Sequence, residues 1–148
     1  MVRLPFLDRL DAARQLAPRL AHLCPRPLVL AIPRGAVPMG RELAHLLGAD
    51  FDVVMARKLG APGNPEYAVG AVDETGAAWI APYAAAAGAD EPYLARTIAD
   101  ERRTMRERRA RWTPGRLPAD PQGRVVIVVD DGLATGETMR VALDAVRR

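Results

Sequence analysis

The sequence predicts an α/β fold in which a mostly parallel, twisted sheet is flanked by helices. Short runs of apolar residues are typical of strands buried on both faces. Segments with helical spacing of apolar residues alternate with these runs, and this order is typical of a parallel sheet. The 148 residues, of which 49% are hydrophobic and 26% charged, suit one globular domain over residues 1–148.

The first half of the chain predicts two helices and two strands. Asp8–Leu23 has apolar residues three and four positions apart and therefore predicts an amphipathic helix, which Pro18 kinks or interrupts. The continuous apolar run Leu28–Ile32 predicts a buried strand. Val37–Leu47 predicts a second helix, and Phe51–Ala56 a second strand.

The second half predicts further strands and ends in a helix. Tyr67–Val72 and Ala78–Ala81 predict two short strands, and Glu91–Trp112 a long charged helix. Arg124–Val129 predicts the strongest strand, because it contains four valines and one isoleucine in a row. The helix predicted at Met139–Arg148 should cross over to another parallel strand. We therefore expect either that this fold lacks one or more C-terminal strands or that a partner supplies the missing strand.

The composition excludes several kinds of chemistry. The chain has no serine, and therefore no serine nucleophile. The single cysteine, Cys24, forms no internal disulfide and no cysteine cluster for a metal. His22 and His45 lie in helix-like stretches and are expected on helix surfaces. No apolar run approaches the ~20 residues of a membrane span, and the N-terminus lacks the pattern of a signal peptide, so we expect a cytoplasmic protein without a membrane partner.

A group of residues suited to a sugar phosphate follows the strongest strand. Asp130 and Asp131 are adjacent carboxylates that can accept from a ribose diol or bind Mg²⁺. The next residues bring two glycines and two threonines to the start of a helix, whose free amides favour phosphate; these are Gly132, Thr135, Gly136 and Thr138.

Three other interpretations of this segment fit its residues less well. The magnesium strand of a P-loop NTPase requires a G-x-x-x-x-G-K-S/T loop, but Leu59 follows the only lysine, Lys58. A phosphatase with an aspartyl nucleophile requires a second aspartate where Gly132 lies. A helix cap with a tight turn would leave both carboxylates, both glycines and both threonines without a role.

The segment after residue 124 resembles the phosphoribosyl-pyrophosphate (PRPP) signature of type I phosphoribosyltransferases, with the sequence VVIVVDDGLATGETM. Three blocks are also similar, in this order, to a group of bacterial predicted phosphoribosyltransferases. They are AIPRGAVPMG, ARKLGAPGNPEYAVGAV and DDGLATGETM. The resemblance covers roughly residues 8–148 and implies a Rossmann-like fold of this family.

The resemblance implies roles for the residues of the signature. Asp130 and Asp131 would hold the ribose 2′- and 3′-hydroxyls and would meet Mg²⁺ mainly through PRPP. The 5′-phosphate would be bound by the loop that leads into the helix, with Glu137 pointing to solvent. The residues of this loop are Ala134, Thr135, Gly136, Glu137 and Thr138.

The resemblance also implies a site for the pyrophosphate. Arg34 and Gly35 lie after the first strand, in a loop that holds pyrophosphate in the family, often through a non-proline cis peptide expected here at Arg34–Gly35. Arg57 and Lys58 end the second strand and would neutralise pyrophosphate at the same sheet edge. Taken alone, these are an ordinary turn and two solvent-facing cations. The catalytic residues predicted in this way are Arg34, Lys58 and Asp131.

A flap is expected over residues 59–77. The glycines and prolines of Leu59–Glu66 predict a mobile loop that closes over the site and excludes water. Glu66 and Tyr67 are candidate contacts of that loop.

The function implied by the resemblance is that of a pentosyltransferase of nucleotide metabolism. With Mg²⁺ as cofactor, it would transfer the phosphoribosyl group of PRPP to a small-molecule acceptor, such as a nucleobase or similar nitrogen compound, and release pyrophosphate. We expect the active form to be a homodimer.

The alternative is a non-catalytic regulator that senses PRPP or a nucleotide and binds nucleic acid. Residues 96–124 carry nine arginines and four acidic residues, and many of these arginines fall in a predicted helical insertion at about 90–113. The stretch 102–111 keeps this alternative open, although it has no aromatic residues for stacking on bases.

Overall fold

Helices and strands alternate in the order expected of an α/β protein. The computed structural model describes residues 1, 3–23, 25–133 and 136–147. In these ranges the elements are α1 (Arg9–Leu20), β1 (Leu28–Ala31), α2 (Ala36–Leu47), β2 (Asp50–Val53), β3 (Ala56–Ala61), β4 (Asn64–Asp73), β5 (Ala78–Ile80), α3 (Glu91–Trp112), β6 (Val126–Val129) and α4 (Glu137–Arg147).

The chain divides into two compact units. One, the sheet unit, comprises Met1–Val54 and Arg116–Leu133. The other, the hairpin unit, comprises Met55–Gly115 and Ala134–Arg148. The sheet unit therefore contains β1, β2 and β6 with α1 and α2, and the hairpin unit contains the remaining elements.

The sheet of the sheet unit is parallel, and in the described part of the chain its strand order is β2-β1-β6. All four residues of the central strand β1 are buried, as expected for a strand covered on both faces. Helix α2 packs so closely on the sheet that a Cβ at Gly40 would lie 2.8 Å from the Cβ of Ala31. The predicted α/β class with a parallel sheet and flanking helices is confirmed.

Helix α1 covers α2 and is fixed at its N-terminus by a side-chain cap. Asp8 accepts a hydrogen bond from the amide of Asp11 at 2.7 Å, which satisfies a free amide of the first turn. The small side chains of Ala13 and Ala17 are buried, and α1 packs against α2. The helix ends at Leu20, three residues earlier than predicted, and continues through Pro18.

The hairpin unit corrects one prediction. Leu59–Glu66 was predicted to be a mobile loop, but it forms the turn and flanking residues of an antiparallel hairpin between β3 and β4. Gly63 lies in the turn with φ +71°, a conformation that glycine adopts without a steric cost. The prolines and glycines here therefore mark a tight turn between two strands. Strand β5 pairs with β4 as predicted.

Helices α3 and α4 pack against β3 and β4. The hydroxyl of Tyr93 on α3 donates to the carbonyl oxygen of Gly60 at 2.7 Å. On α4, the guanidinium carbon of Arg140 lies 5.5 Å from the centre of the Trp79 ring, a cation–π contact.

Three further predictions concern single residues. His22 and His45 are exposed, as expected for residues on the surface. Cys24 and the last residue of the predicted final helix, Arg148, lie outside the described residues. Among the described residues, no helix combines the length and the apolar character that crossing a bilayer requires.

Candidate functional site

Two of the predicted site segments leave the sheet at the same edge. Strands β1 and β6 are parallel, and Ala31 at the end of β1 pairs with Val129 at the end of β6. The amide of Ile32 donates to the carbonyl oxygen of Val129 at 3.0 Å, so the two strands stay paired to their ends. The loop 33–35 and the carboxylates of residues 130–131 therefore begin side by side, where α/β proteins bind ligands.

Gly35 lies against the carboxylate of Asp131. A Cβ at residue 35 would lie 2.6 Å from Cγ of Asp131, closer than real atoms come. The φ of Gly35 is −62°, which any residue adopts, so glycine is required for space and not for its backbone conformation. Gly35 is also the N-cap of α2, and the positive end of that helix dipole favours a carboxylate there.

The non-proline cis peptide of this loop lies one residue earlier than predicted. It joins Pro33 to Arg34, and the predicted position at Arg34–Gly35 is wrong. Gly35 already has helical dihedral angles, and the carbonyl oxygen of Arg34 accepts from the amide of Val37 at 3.2 Å. The Arg34–Gly35 peptide thus belongs to the start of the helix. The side chain of Arg34 is exposed.

The two carboxylates differ in their surroundings. The amide of Asp131 donates to Oδ1 of Asp130 at 2.8 Å. Burial raises the pKa of Asp130 above its ordinary value, because burial disfavours the charged form. Hydrogen bonds from Arg9 hold the pKa of Asp131 below its ordinary value.

Arg9 is a site residue that the sequence analysis missed. Its Nε and Nη2 both donate to Oδ2 of Asp131, at 3.0 and 2.6 Å. Arg9 is exposed and its partner lies 122 residues away, so no local pattern in the sequence identifies it.

A cleft of about 530 Å³ opens beside these carboxylates. Its lining combines apolar side chains with charged groups. The lining residues are Phe6, Leu7, Asp8, Arg9, Ala12, Leu16, Met39, Asp130 and Asp131. Its volume is within the range of small-molecule sites, and its polar end is the carboxylate pair.

Arg57 and Lys58 lie within β3 and not at the end of β2. Because they are consecutive in a strand, their side chains point to opposite faces. Nε of Arg57 donates to Oε2 of Glu101 on α3 at 2.7 Å. Nζ of Lys58 donates to Oε2 of Glu66 at 3.2 Å. The structure therefore does not bring these two cations together.

The predicted phosphate loop is described only in part. Ala134 and Thr135 lie outside the described residues. Gly136 has φ +87°, a left-handed conformation that glycine permits, and Gly132 has no positive φ. Glu137 begins α4 with Thr138 next to it, and both are half-buried, although Glu137 was predicted to point to solvent. A carboxylate in the first turn is favoured by the helix dipole.

The arginine-rich stretch 102–111 forms part of α3 and does not present all its arginines to solvent. Nε and Nη2 of Arg109 donate to the two carboxylate oxygens of Glu74, at 2.6 and 2.7 Å. Arg102 is half-buried. The exposed arginines of this stretch include Arg103, Arg106 and Arg108, and Arg103 pairs with Asp100.

Comparisons with known proteins agree with this geometry. The family model "Phosphoribosyl transferase domain" matches residues 13–148. Two Mycobacterium tuberculosis proteins, named "Putative phosphoribosyl transferase" MT0597 (strain CDC 1551) and Rv0571c (strain H37Rv), are each 42% identical over 96% of this chain. The chain spans 32% of the length of these curated relatives.

A solved structure is similar over the same share of the chain. The crystal structure of TT1426 from Thermus thermophilus is 47% identical, with a TM-score of 0.78. The match covers 96% of this chain and 68% of that one. The predicted resemblance is confirmed, and the chain belongs to the type I phosphoribosyltransferase family.

Proposed function

We propose that this chain binds PRPP and transfers its phosphoribosyl group to an acceptor, a nucleobase or similar nitrogen compound, with release of pyrophosphate. One observation carries the proposal. Asp130 and Asp131 leave the parallel sheet beside the loop that contains Gly35, with a cleft open next to them. This arrangement offers paired acceptors for a ribose diol at a sheet edge where ligands bind.

The carboxylates would bind the ribose as hydrogen-bond acceptors. Each ribose hydroxyl donates, and an ionised carboxylate can only accept. Hydrogen bonds from Arg9 hold the pKa of Asp131 below its ordinary value, which suits this role. Asp130 is costlier to ionise than Asp131 because it is more buried. A hydrogen bond donated by a ribose hydroxyl would offset that cost.

The transfer requires positioning and charge stabilisation more than a nucleophilic side chain. The bond from ribose C1 to the pyrophosphate oxygen breaks, the electron pair leaves with pyrophosphate, and the acceptor nitrogen forms the new bond to C1. Holding the ribose fixes C1 relative to both groups. The exposed guanidinium of Arg34, next to Gly35, would stabilise charge on the departing pyrophosphate.

Mg²⁺ fits this site as an ion carried on the substrate. Among the described residues no group of three or more histidines, cysteines or carboxylates could hold a metal. Mg²⁺ is often bound by one or two carboxylates together with substrate phosphates, and Asp130 and Asp131 provide two. When bound, Mg²⁺ neutralises the charge of the pyrophosphate.

Some predicted roles rest on the resemblance alone. Pyrophosphate binding by Arg57 and Lys58, and phosphate binding by residues 134–138, stay predictions of the sequence. Of the two cations, Lys58 is the stronger candidate, because Glu66 is exposed and releases it readily, whereas Arg57 is held by Glu101 on α3.

Titration calorimetry tests the proposed function. Wild-type protein should bind PRPP in the presence of Mg²⁺. Asp130→Asn/Asp131→Asn should bind about 100-fold more weakly or not at all, because hydrogen bonds to charged groups contribute about 1.5–3 kcal/mol each. Asp100→Asn/Glu107→Gln removes two exposed carboxylates of α3 and should bind as wild type does. Equal affinity in wild type and the first variant would refute the proposal.

A further inference from the structure

Arg9 is held in place by the backbone at the start of α1. It is the first residue of the helix, directly after the N-cap Asp8. The carbonyl oxygen of Asp8 accepts from the amide of Ala12 at 3.1 Å, and its carboxylate accepts from the amide of Asp11 at 2.7 Å. These bonds set the direction in which the Arg9 side chain leaves the helix.

The hydrogen bonds of Arg9 use one side of the Asp131 carboxylate. Nε and Nη2 both donate to Oδ2, so Arg9 does not occupy Oδ1. Gly35 packs against the same carboxylate from the loop after β1. A guanidinium and a backbone thus hold the orientation of Asp131 from two directions.

The charge of Arg9 is suited to a phosphorylated ligand. Asp130 and Asp131 are two adjacent negative groups, and they would repel a substrate that carries several phosphates. Arg9 lies against one of them and offsets its charge. Its own side chain is 57% exposed, so it also faces the open cleft.

We propose that Arg9 is a positioning residue for the substrate. It holds Asp131 so that Oδ1 accepts a hydrogen bond from a ribose hydroxyl, and its positive charge reduces the repulsion between Asp131 and the phosphates of the substrate. This role rests on the proposed binding of PRPP. Arg9 lies before residues 13–148, the part of the chain that the family model matches.

The chain offers a matched control on the same helix. Nε of Arg14 donates to Oε1 of Glu42 at 3.1 Å, with side chains 60% and 25% exposed. The Arg9–Asp131 pair is similarly placed, at 57% and 28%. Arg14→Met therefore removes an equally exposed ion pair from α1 without touching the carboxylates of residues 130–131.

The test is the affinity for Mg²⁺ with PRPP, measured by calorimetry on variants whose folding is checked by thermal melting. Arg9→Met keeps the aliphatic part of the side chain and removes its donors, and we expect about fivefold weaker binding, as suits a half-exposed pair. Arg9→Lys should recover part of the affinity, because it restores the charge but not the paired donors. Arg14→Met should bind as wild type does.

Combining Arg9→Met with Asp131→Asn decides whether Arg9 acts through Asp131. We expect Arg9→Met to have little further effect there, since its partner is already altered. Unchanged or tighter binding by Arg9→Met would overturn the positioning role, and tighter binding would mean that Arg9 competes with the ribose. The positioning role would also be overturned if Arg9→Met weakened binding as much in the Asp131→Asn background as it does in the wild type. If wild type binds no PRPP, the proposed function fails first; if it binds and Arg9→Met binds equally, only the role of Arg9 fails.

Discussion

Asp131 is the residue at which distant parts of the chain meet. Arg9 reaches it from α1, Gly35 from the loop after β1, and its own amide donates to Asp130. Each contact has a different physical effect. The guanidinium of Arg9 fixes the carboxylate and lowers its pKa, and the absence of a Cβ at Gly35 leaves room for it. The hydrogen bond from the Asp131 amide orders the two carboxylates relative to each other.

Gly35→Ala tests whether the space beside Asp131 matters. The new Cβ would overlap the carboxylate, so Asp131 or the loop must move. We expect a loss of stability of about 1–3 kcal/mol, as in other overpacked sites, together with weaker PRPP binding. Thermal melting and calorimetry measure the two effects.

Gly132→Ala is the control for that substitution. Among the described residues, nothing lies within 4 Å of a Cβ built at residue 132, and Gly132 lacks a positive φ, so alanine should be tolerated. Equal stability and affinity of the two variants would contradict the steric account of Gly35.

At the scale of single residues, sequence reasoning found the groups that lie close together along the chain. Asp130, Asp131 and Gly35 were predicted because each belongs to a short pattern at a strand end. Arg9 was missed because its partner lies 122 residues away, and no local spacing reports such a pair. The separation of Arg57 and Lys58 onto opposite faces was missed because their segment was predicted to be a strand end and not a strand interior.

At the scale of elements, the local sequence pattern predicted the positions of several strands and helices well. β1, β6, α2 and α3 were all predicted, each within two residues at either end. The hairpin between β3 and β4 was not, because its prolines and glycines are equally typical of a mobile loop. Pairing with β4, a contact outside the local sequence, makes the segment a strand.

Arginines that face inward hold helix α3 against the rest of the hairpin unit. We therefore expect substitutions of inward-facing and exposed arginines to lower the free energy of unfolding by different amounts. Arg109 is only 12% exposed and donates twice to Glu74. Arg109→Ala should therefore destabilise the protein by about 2 kcal/mol, the scale of hydrogen bonds to charged groups. Denaturant unfolding measures this free energy.

Arg103→Ala is the control for Arg109→Ala on the same helix. Arg103 is 68% exposed and pairs with Asp100 three positions away, so its loss should cost less than about 0.5 kcal/mol. If both variants lost the same stability, the inward ion pair would not be what ties α3 to the hairpin.

At the scale of the whole molecule, the candidate residues divide between the two units. Asp130, Asp131, Arg34 and Gly35 belong to the sheet unit, while Arg57 and Lys58 belong to the hairpin unit. The parallel sheet was predictable because the buried central strand β1 and the valine-rich strand β6 are continuous apolar runs in the sequence. The strand order β2-β1-β6 depends on contacts between distant segments, which one sequence does not report.

The central claim is that PRPP binds where β1 and β6 end. The most direct measurement is to titrate ¹⁵N-labelled protein with PRPP and Mg²⁺ and to follow each backbone amide shift by NMR. The account predicts the largest changes at residues 33–35 and 130–133, with the exposed face of α3 around Arg103 and Arg106 unaffected. Changes confined to α3, or no changes at all in the folded protein, would contradict it.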